Sequence, residues 1–394
     1  MRRLLLAAVF FAFLGSAGCG SSEGGTPSNY LPVTVTDQIK ATGYAVVGDQ
    51  AVFVYDHATW AAPGAAAPAQ VLLSGSFNGW VNPGWELSHS SADAGVWFLV
   101  KPLADVLVPG NSGQPEFKFV VDGAWLSAVE ASPAGYHFLG NNLLVQEGDD
   151  LEQIAANEAQ ALAILPLSSF DLEDAADKAT LSNFRQVPGM PGLFRSYHPY
   201  KKSRPALDTE DARIAAVKSL MASNLIGSVV SLTGIEAPGD GEALSAYHLA
   251  LVTNSHQLGV TLSYNIVYYQ SGTAAFWGPL EQVIRFIADQ PAPVLVHCRL
   301  GTDRTGATIA VLEGLAGKAW ADIAADYQAS NDMGIGEFRD YHLLQYSLEH
   351  MTGVDLDTHP EQLQAALIAY FVTNTTLTEA ELAAVSNKLT VVPQ

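Results

Sequence analysis

The sequence predicts two folded units of different class: an N-terminal all-β sandwich, then an α/β domain built on a central, mostly parallel sheet. Three observations carry this. The chain has 394 residues, more than one ordinary domain holds. Its 48% hydrophobic and 15% charged residues supply real cores and argue against disorder. The hydrophobic pattern also changes along the chain, from short alternating runs to apolar runs that alternate with helical stretches.

The chain opens with Arg2 and Arg3, an apolar run from Leu4 to Leu14, and small residues up to Cys19. That run is too short to span a bilayer, and no other stretch has the length and apolarity to do so. Residues 1–19 resemble a bacterial lipoprotein signal, with Ser16 standing where Leu is usual. The resemblance implies that Cys19 is acylated and that the chain is exported, anchored by lipid in the periplasm or at the cell surface. Without acylation the same leader implies secretion. Residues 20–32, rich in Gly and Ser, read as a flexible tether.

Residues 33–147 hold the β-domain. The runs "YAVVGDQAVFVY", "AQVLLSGSF", "GVWFLVKPL", "PEFKFVVDG" and "NNLLVQ" are separated by Gly, Pro, Asn and Ser clusters, the spacing of a sandwich. Residues 148–180 begin with "EGDDLEQIAANEAQALAIL", whose acids fall in the first turn of a linker helix. In residues 181–350, "IGSVVSLTG", "VTLSYNIVYY" and "APVLVHC" read as strands, with "EALSAYHLALVTNSHQLG" and "GPLEQVIRFIADQ" as helices between them. Residues 351–394 read as a helical extension, its last helix opened by a Thr378/Glu381 capping box.

The formal net charge of −21 repels nucleic acid and anionic headgroups, so neither is expected as a partner, and a membrane is met only through the lipid anchor. Phosphorylated ligands are repelled too, and any site for them must overcome the field locally. Only two cysteines are present, and with Cys19 lipidated Cys298 has no partner.

Cys298 stands in "VLVHCRLGTDRTGATIAVL", residues 294–312. A strand, a loop from His297 to Gly306 and then a helix make a phosphate cradle. Backbone N–H groups of Arg299, Leu300, Gly301 and Thr302 turn inward there, and the helix dipole adds partial positive charge. Cys298 at its base would sit as a thiolate, the nucleophilic form. Arg304 offers a planar fork for two phosphoryl oxygens. The Thr305 hydroxyl would hydrogen-bond the sulfur, and Gly301 and Gly306 permit tight turns.

This stretch resembles the signature of the protein tyrosine and dual-specificity phosphatases: His-Cys, five residues, Arg, then Ser or Thr. The likeness runs upstream through "NFRQVPGMPGLFRSYHP" and covers roughly residues 181–350. It implies a phosphocysteine intermediate and a phosphorylated protein or small phosphomonoester as substrate, with no metal or other cofactor. Such enzymes usually carry an Asp general acid about 30 residues before the cysteine; here no Asp or Glu lies between Glu242 and Glu281. Asp303 is the best substitute, since a loop Asp recurs in myotubularin-like and some secreted bacterial phosphatases. A loop-bracing carboxylate is the equal alternative, and Asp240 is a weaker candidate acid. "RSYHPYKKSR" gathers Arg195, Lys201, Lys202 and Arg204, either an anion-drawing cluster or a solvated loop.

The β-domain runs "VLLSGSFNGW", "GVWFL", "EFKFVVDGAW" and "GNNLLVQ" resemble family 48 carbohydrate-binding modules, early-set immunoglobulin-like domains that bind glycogen. The resemblance places sugar-binding residues at Trp80, Lys118, Trp125 and Asn142, with Asn141 beside it. Two indoles make a platform for sugar rings, and Lys and Asn fix hydroxyls. Trp97 reads as core. The implied partner is an α-glucan or another glycan.

Together these readings describe an exported cysteine-dependent phosphatase targeted by a glycan-binding module. Its domain pairing is similar to that of glucan phosphatases, but their loop reads Cys-x-Ala-Gly-x-Gly-Arg. Cys-Arg-Leu-Gly-Thr-Asp-Arg departs from it, which stands against glucan itself as the phosphorylated substrate and leaves phosphotyrosine proteins, phosphoinositides and inositol phosphates open. The alternative is a non-catalytic glycan-binding surface lipoprotein with a degenerate phosphatase domain.

Overall fold

The computed structural model describes residues 30–392, so the leader, Cys19 and the first part of the tether lie outside the described residues. The N-terminal strands are β1 (Tyr44–Val47), β2 (Gln50–Asp56), β3 (Val71–Gly75), β4 (Trp85–Glu86) and β5 (Ser88–His89). They continue with β6 (Val96–Pro102), β7 (Glu116–Val121), β8 (Ala124–Trp125), β9 (His137–Phe138) and β10 (Asn141–Leu143). One antiparallel sheet has the order β1-β2-β6-β5; the other runs β4-β3-β7-β10-β9, with β8 paired to β7. Aromatic side chains from both meet between them: Phe53 lies edge-on to Phe117 at 5.1 Å, and Tyr55 to Phe119 at 5.6 Å. Trp97 is buried in this core, as its alternating strand predicts. The outer face of β2 is also covered, because Val52 and Val54 pack under Leu31, Val33, Val35 and Ile39.

A two-residue turn joins β7 to β8. Asp122 and Gly123 both have positive φ, +48° and +85°, the hairpin geometry whose twist matches that of the strands. It sets Trp125 opposite Val120.

The second sheet system holds β11 (Arg185–Val187), β12 (Met190–Ser196), β13 (Ser228–Ser231), β14 (Gln257–Gly259) and β15 (Val294–His297), in the order β11-β12-β15-β13-β14. All pairs are parallel except β11 with β12. Apolar β15 is central, and Ser196, Ser231 and His297 lie in register at the carboxyl edge, where parallel sheets carry their sites.

Three expectations need correction. "VTLSYNIVYY" is not a strand: β14 ends at Gly259, and Tyr264–Tyr269 is a helix. The Ser263 side chain caps it by accepting from the Ile266 N–H, and burial of Val267 and Tyr268 overrides their β preference. The preceding helix is correspondingly short, Ala246–Thr253, because Gln257–Gly259 is drawn into the sheet. The helix Leu151–Leu162 is more than a linker, since Ile154 and Ala161 are buried in the β-domain core, together with Phe338. Nor are the last helices an appendage. Leu363–Asn374 and Glu379–Thr390 bury Leu367, Phe371, Leu382, Val385 and Leu389 in the α/β core. The Thr378/Glu381 capping box forms as expected.

Candidate active site

Cys298 follows β15 directly and is buried, 2% exposed, with no disulfide partner. The helix Asp303–Leu315 starts five residues on and is buried from Thr305 to its end. The loop between them is shaped from outside. The Arg299 carbonyl accepts from the His198 N–H at 3.0 Å. The Leu300 carbonyl accepts from Asn183 Nδ2 at 2.9 Å, and the Gly301 carbonyl from Arg195 Nη2 at 2.8 Å. Three consecutive carbonyls are thus drawn away from the loop's centre. Their peptide N–H groups are left facing inward, which is the arrangement an anion requires. Gly301 has φ +74°, and a Cβ there would lie 2.5 Å from the Ser196 carbonyl, so only glycine fits.

Arg195 and Asn183 therefore hold the loop, although they lie more than a hundred residues before it. Arg195 is wholly buried and pairs through Nη1 with Asp326 Oδ2 at 2.6 Å. Arg185 joins the same carboxylate at 3.1 Å. Burial works to raise the Asp326 carboxyl, and the Arg195 and Arg185 guanidiniums more than offset it, leaving it below the usual carboxylate range. None of this was legible in "RSYHPYKKSR". The other bases there are also committed. Lys201 pairs with Glu242, Lys202 with Asp211, and Arg204 with Glu337 and the carbonyls of Ile335 and Gly336. The stretch supplies separate ion pairs, not an anion-drawing cluster.

Asp303 is held by a pair that sequence reasoning missed. Arg339 donates from Nε to Oδ1 at 2.6 Å and from Nη2 to Oδ2 at 3.2 Å, and the Tyr268 hydroxyl adds a bond to Oδ1 at 3.1 Å. Asp240 is exposed on its loop. Arg304 is half-buried, with Nη1 3.5 Å from the Leu262 carbonyl. Arg299 leans outward to Glu236 at 3.0 Å, and Thr302 and Gly306 are buried at the helix start.

Two expected roles change. The Thr305 hydroxyl is buried without a hydrogen-bond partner, the sulfur of Cys298 included. His297 lies behind the loop: its Nδ1 bonds the Cys298 carbonyl at 3.1 Å, and its ring meets His198 edge-on at 4.7 Å. Burial pushes the His297 imidazole down to about 3, so it is a neutral brace.

A second site lies where the domains meet. Trp80, Lys118 and Trp125 line a cleft of about 370 Å³ with Asn111, Asn141, Tyr264 and Asn265. The two indoles are 6.3 Å apart and tilted by 39°. Asn142 is not part of it. That residue is fully buried, with Nδ2 3.4 Å from the Phe117 carbonyl, while Asn141 faces the cleft and donates to Glu116 Oε2 at 2.7 Å. Successive residues of a strand face opposite sides, so the one-residue choice between them waits on strand register.

Residues 249–390 match the tyrosine phosphatase family. The matched segment contains the whole loop from His297 to Gly306 and both C-terminal helices, so the likeness to that family includes the cysteine loop and the helices packed behind it. The chain is similar to the catalytic core of the PP-IP phosphatase SIW14 from S. cerevisiae in complex with citrate. Identity is 18% over 40% of this chain and 86% of that one, with a TM-score of 0.26. A second structure of the Siw14 core shares 17% identity over 47% of this chain and 90% of that one, at a TM-score of 0.28. A candidate phosphatase from Neisseria meningitidis shares 13% over 46% and 97%, at 0.24. No curated protein matches the chain.

Proposed function

We propose that this protein is an exported phosphatase that hydrolyses aryl phosphate monoesters, phosphotyrosine in proteins above all, and that its β-domain docks it on a glycan. The observation that carries the catalytic reading is the set of three outward carbonyls, at Arg299, Leu300 and Gly301, around a lone buried cysteine. With Arg304 beside them, these amides offset the acidic field at one point and match a phosphoryl group.

Two steps follow. Cys298 sulfur attacks phosphorus, a P–S bond forms, and the ester P–O bond breaks with its electron pair leaving on the oxide. Water then attacks the phosphocysteine, giving up a proton to solvent; the P–S bond breaks, returning the thiolate and releasing phosphate. Positioning and charge dominate both steps.

The preference for aryl esters rests on the proton that is missing. No carboxyl stands between Glu242 and Glu281, and the segment approaching Arg304 there offers the Leu262 carbonyl. Asp303 has both oxygens on Arg339, which suits a brace for the first turn of the helix. An aryl oxide leaves without a proton far more readily than an alkoxide. Export rests on the leader ending at Cys19 and explains a module for glycans outside the cell.

The reduced full chain is assayed on para-nitrophenyl phosphate and on matched phosphotyrosine and phosphoserine peptides. We expect turnover on the aryl phosphate and the phosphotyrosine peptide, at least about 100-fold slower turnover on phosphoserine, and none with Cys298→Ser. Equal rates on the two peptides remove the aryl preference. No turnover by the unaltered protein favours a degenerate domain in a glycan-binding lipoprotein.

A further inference from the structure

We propose that the phosphatase domain supplies half of the sugar site. In this reading Tyr264 and Asn265 are glycan-binding residues that close the cleft opposite Trp80 and Trp125. The proposal rests on the reading of the β-domain as a glycan module and extends it to a domain that such modules do not contain.

The cleft's chemistry selects the ligand. Its lining comprises three aromatic rings, three asparagines and one lysine, without a carboxylate. Flat rings cover the apolar faces of pyranose sugars, and an amide both donates and accepts, as a hydroxyl does. A neutral chain is also the ligand class that a net charge of −21 does not repel. A linear α-glucan fits on all three counts.

The geometry is built rather than incidental. Asn265 Nδ2 donates to the Gly79 carbonyl at 2.8 Å, immediately before Trp80. The Tyr264 hydroxyl donates to Asn111 Oδ1 at 2.8 Å, and Asn111 is tied in turn to the Asp340 N–H through its own carbonyl. The two side-chain bonds cross between domains and each fixes one half of an amide, as Glu116 does for Asn141 within the β-domain. The Asn265 oxygen, the Asn111 amino group and the Asn141 oxygen are left for hydroxyls.

Trp80 itself has φ +58°, a left-handed conformation costly for a bulky residue. Strain of this kind persists where surrounding contacts enforce it, and it is concentrated at ligand sites. Here the Trp80 N–H is pinned to the Gly75 carbonyl at 2.9 Å.

Calorimetric titration of the full chain with maltoheptaose tests this. Trp125→Ala is expected to lose affinity at least about tenfold, and Tyr264→Leu and Asn265→Ala about five- to tenfold each. Tyr264→Phe keeps the ring face and stays within about threefold, which separates a lost contact from a damaged fold; circular dichroism of each variant checks the latter. If Tyr264→Leu and Asn265→Ala bind like the unaltered protein while Trp125→Ala does not, the proposal falls and the module reading stands. If the unaltered protein does not bind maltoheptaose, both fall.

Discussion

Replacing Arg195 with methionine takes a guanidinium from a site where it is 0% exposed and touches both Asp326 and the phosphate loop. Breaking a buried pair from one side usually costs about 3–5 kcal/mol, because the remaining charge is stranded. Here the strand is partial. Arg185 still holds Asp326, and Arg185 is itself pushed down to about 10, by burial first and by Arg195 next. Removing Arg195 relieves that repulsion, so its cost sits at the low end, about 3 kcal/mol, despite the unmet Gly301 carbonyl. Asp326→Asn does the opposite: it leaves the buried Arg195 guanidinium facing the half-buried one of Arg185 without the carboxylate between them, at about 5 kcal/mol. The double variant should cost about 2 kcal/mol less than the sum of the two.

Urea unfolding followed by far-ultraviolet circular dichroism, dominated by the helices of the α/β domain, reads these differences. Turnover of para-nitrophenyl phosphate reads the loop, and Arg195→Met should lose more of it than its stability loss explains. Additivity within about 0.5 kcal/mol, or Asp326→Asn milder than Arg195→Met, refutes the shared-carboxylate argument. Unchanged turnover in Arg195→Met refutes the claim that Arg195 holds the loop open.

Gly301→Ala forces a side chain into positive φ and against the Ser196 carbonyl, and should cost about 2 kcal/mol with at least about a tenfold fall in kcat on an aryl phosphate; full activity would mean that the loop's shape is not needed. Asp303→Asn should lower kcat/KM roughly tenfold at every pH and leave the shape of the pH profile unchanged, as a brace does; an alkaline limb present in the unaltered protein and lost in the variant would make Asp303 the acid. Glu313 is buried, and burial followed by Asp326 raises its carboxyl from 4.5 to about 8. A raised folded value means stability fully present below the unfolded value and lost as pH rises through the folded one. Glu313→Gln should therefore match the unaltered protein at about pH 4 and exceed it by on the order of 4 kcal/mol at about pH 8; parallel pH curves in urea unfolding would exclude the effect.

What could be read along the chain was local. The strand, loop and helix around Cys298 occupy one uninterrupted stretch, so residue types at fixed spacing specify the cradle without reference to the rest of the molecule. The same holds for the capping box at Thr378. Position relative to other elements was not legible. Arg195 reaches Gly301 across 106 positions and Asn183 reaches Leu300 across 117, and a buried guanidinium looks the same in sequence as a solvated one. Whether Asn141 or Asn142 faces a ligand depends on a register set by pairing with Phe117. The Tyr264–Tyr269 helix carries strand-like residues and was settled by a cap and by burial.

Sequence alone thus determined the strand, loop and helix around Cys298 and the amides of that loop, because covalent neighbours and backbone geometry are sufficient for both. Tertiary structure decided what holds that loop open, that Asp303 is paired with Arg339, and that the two domains share one cleft. Those outcomes depend on which surfaces pack together, and packing between residues distant in sequence leaves no periodic mark on either segment.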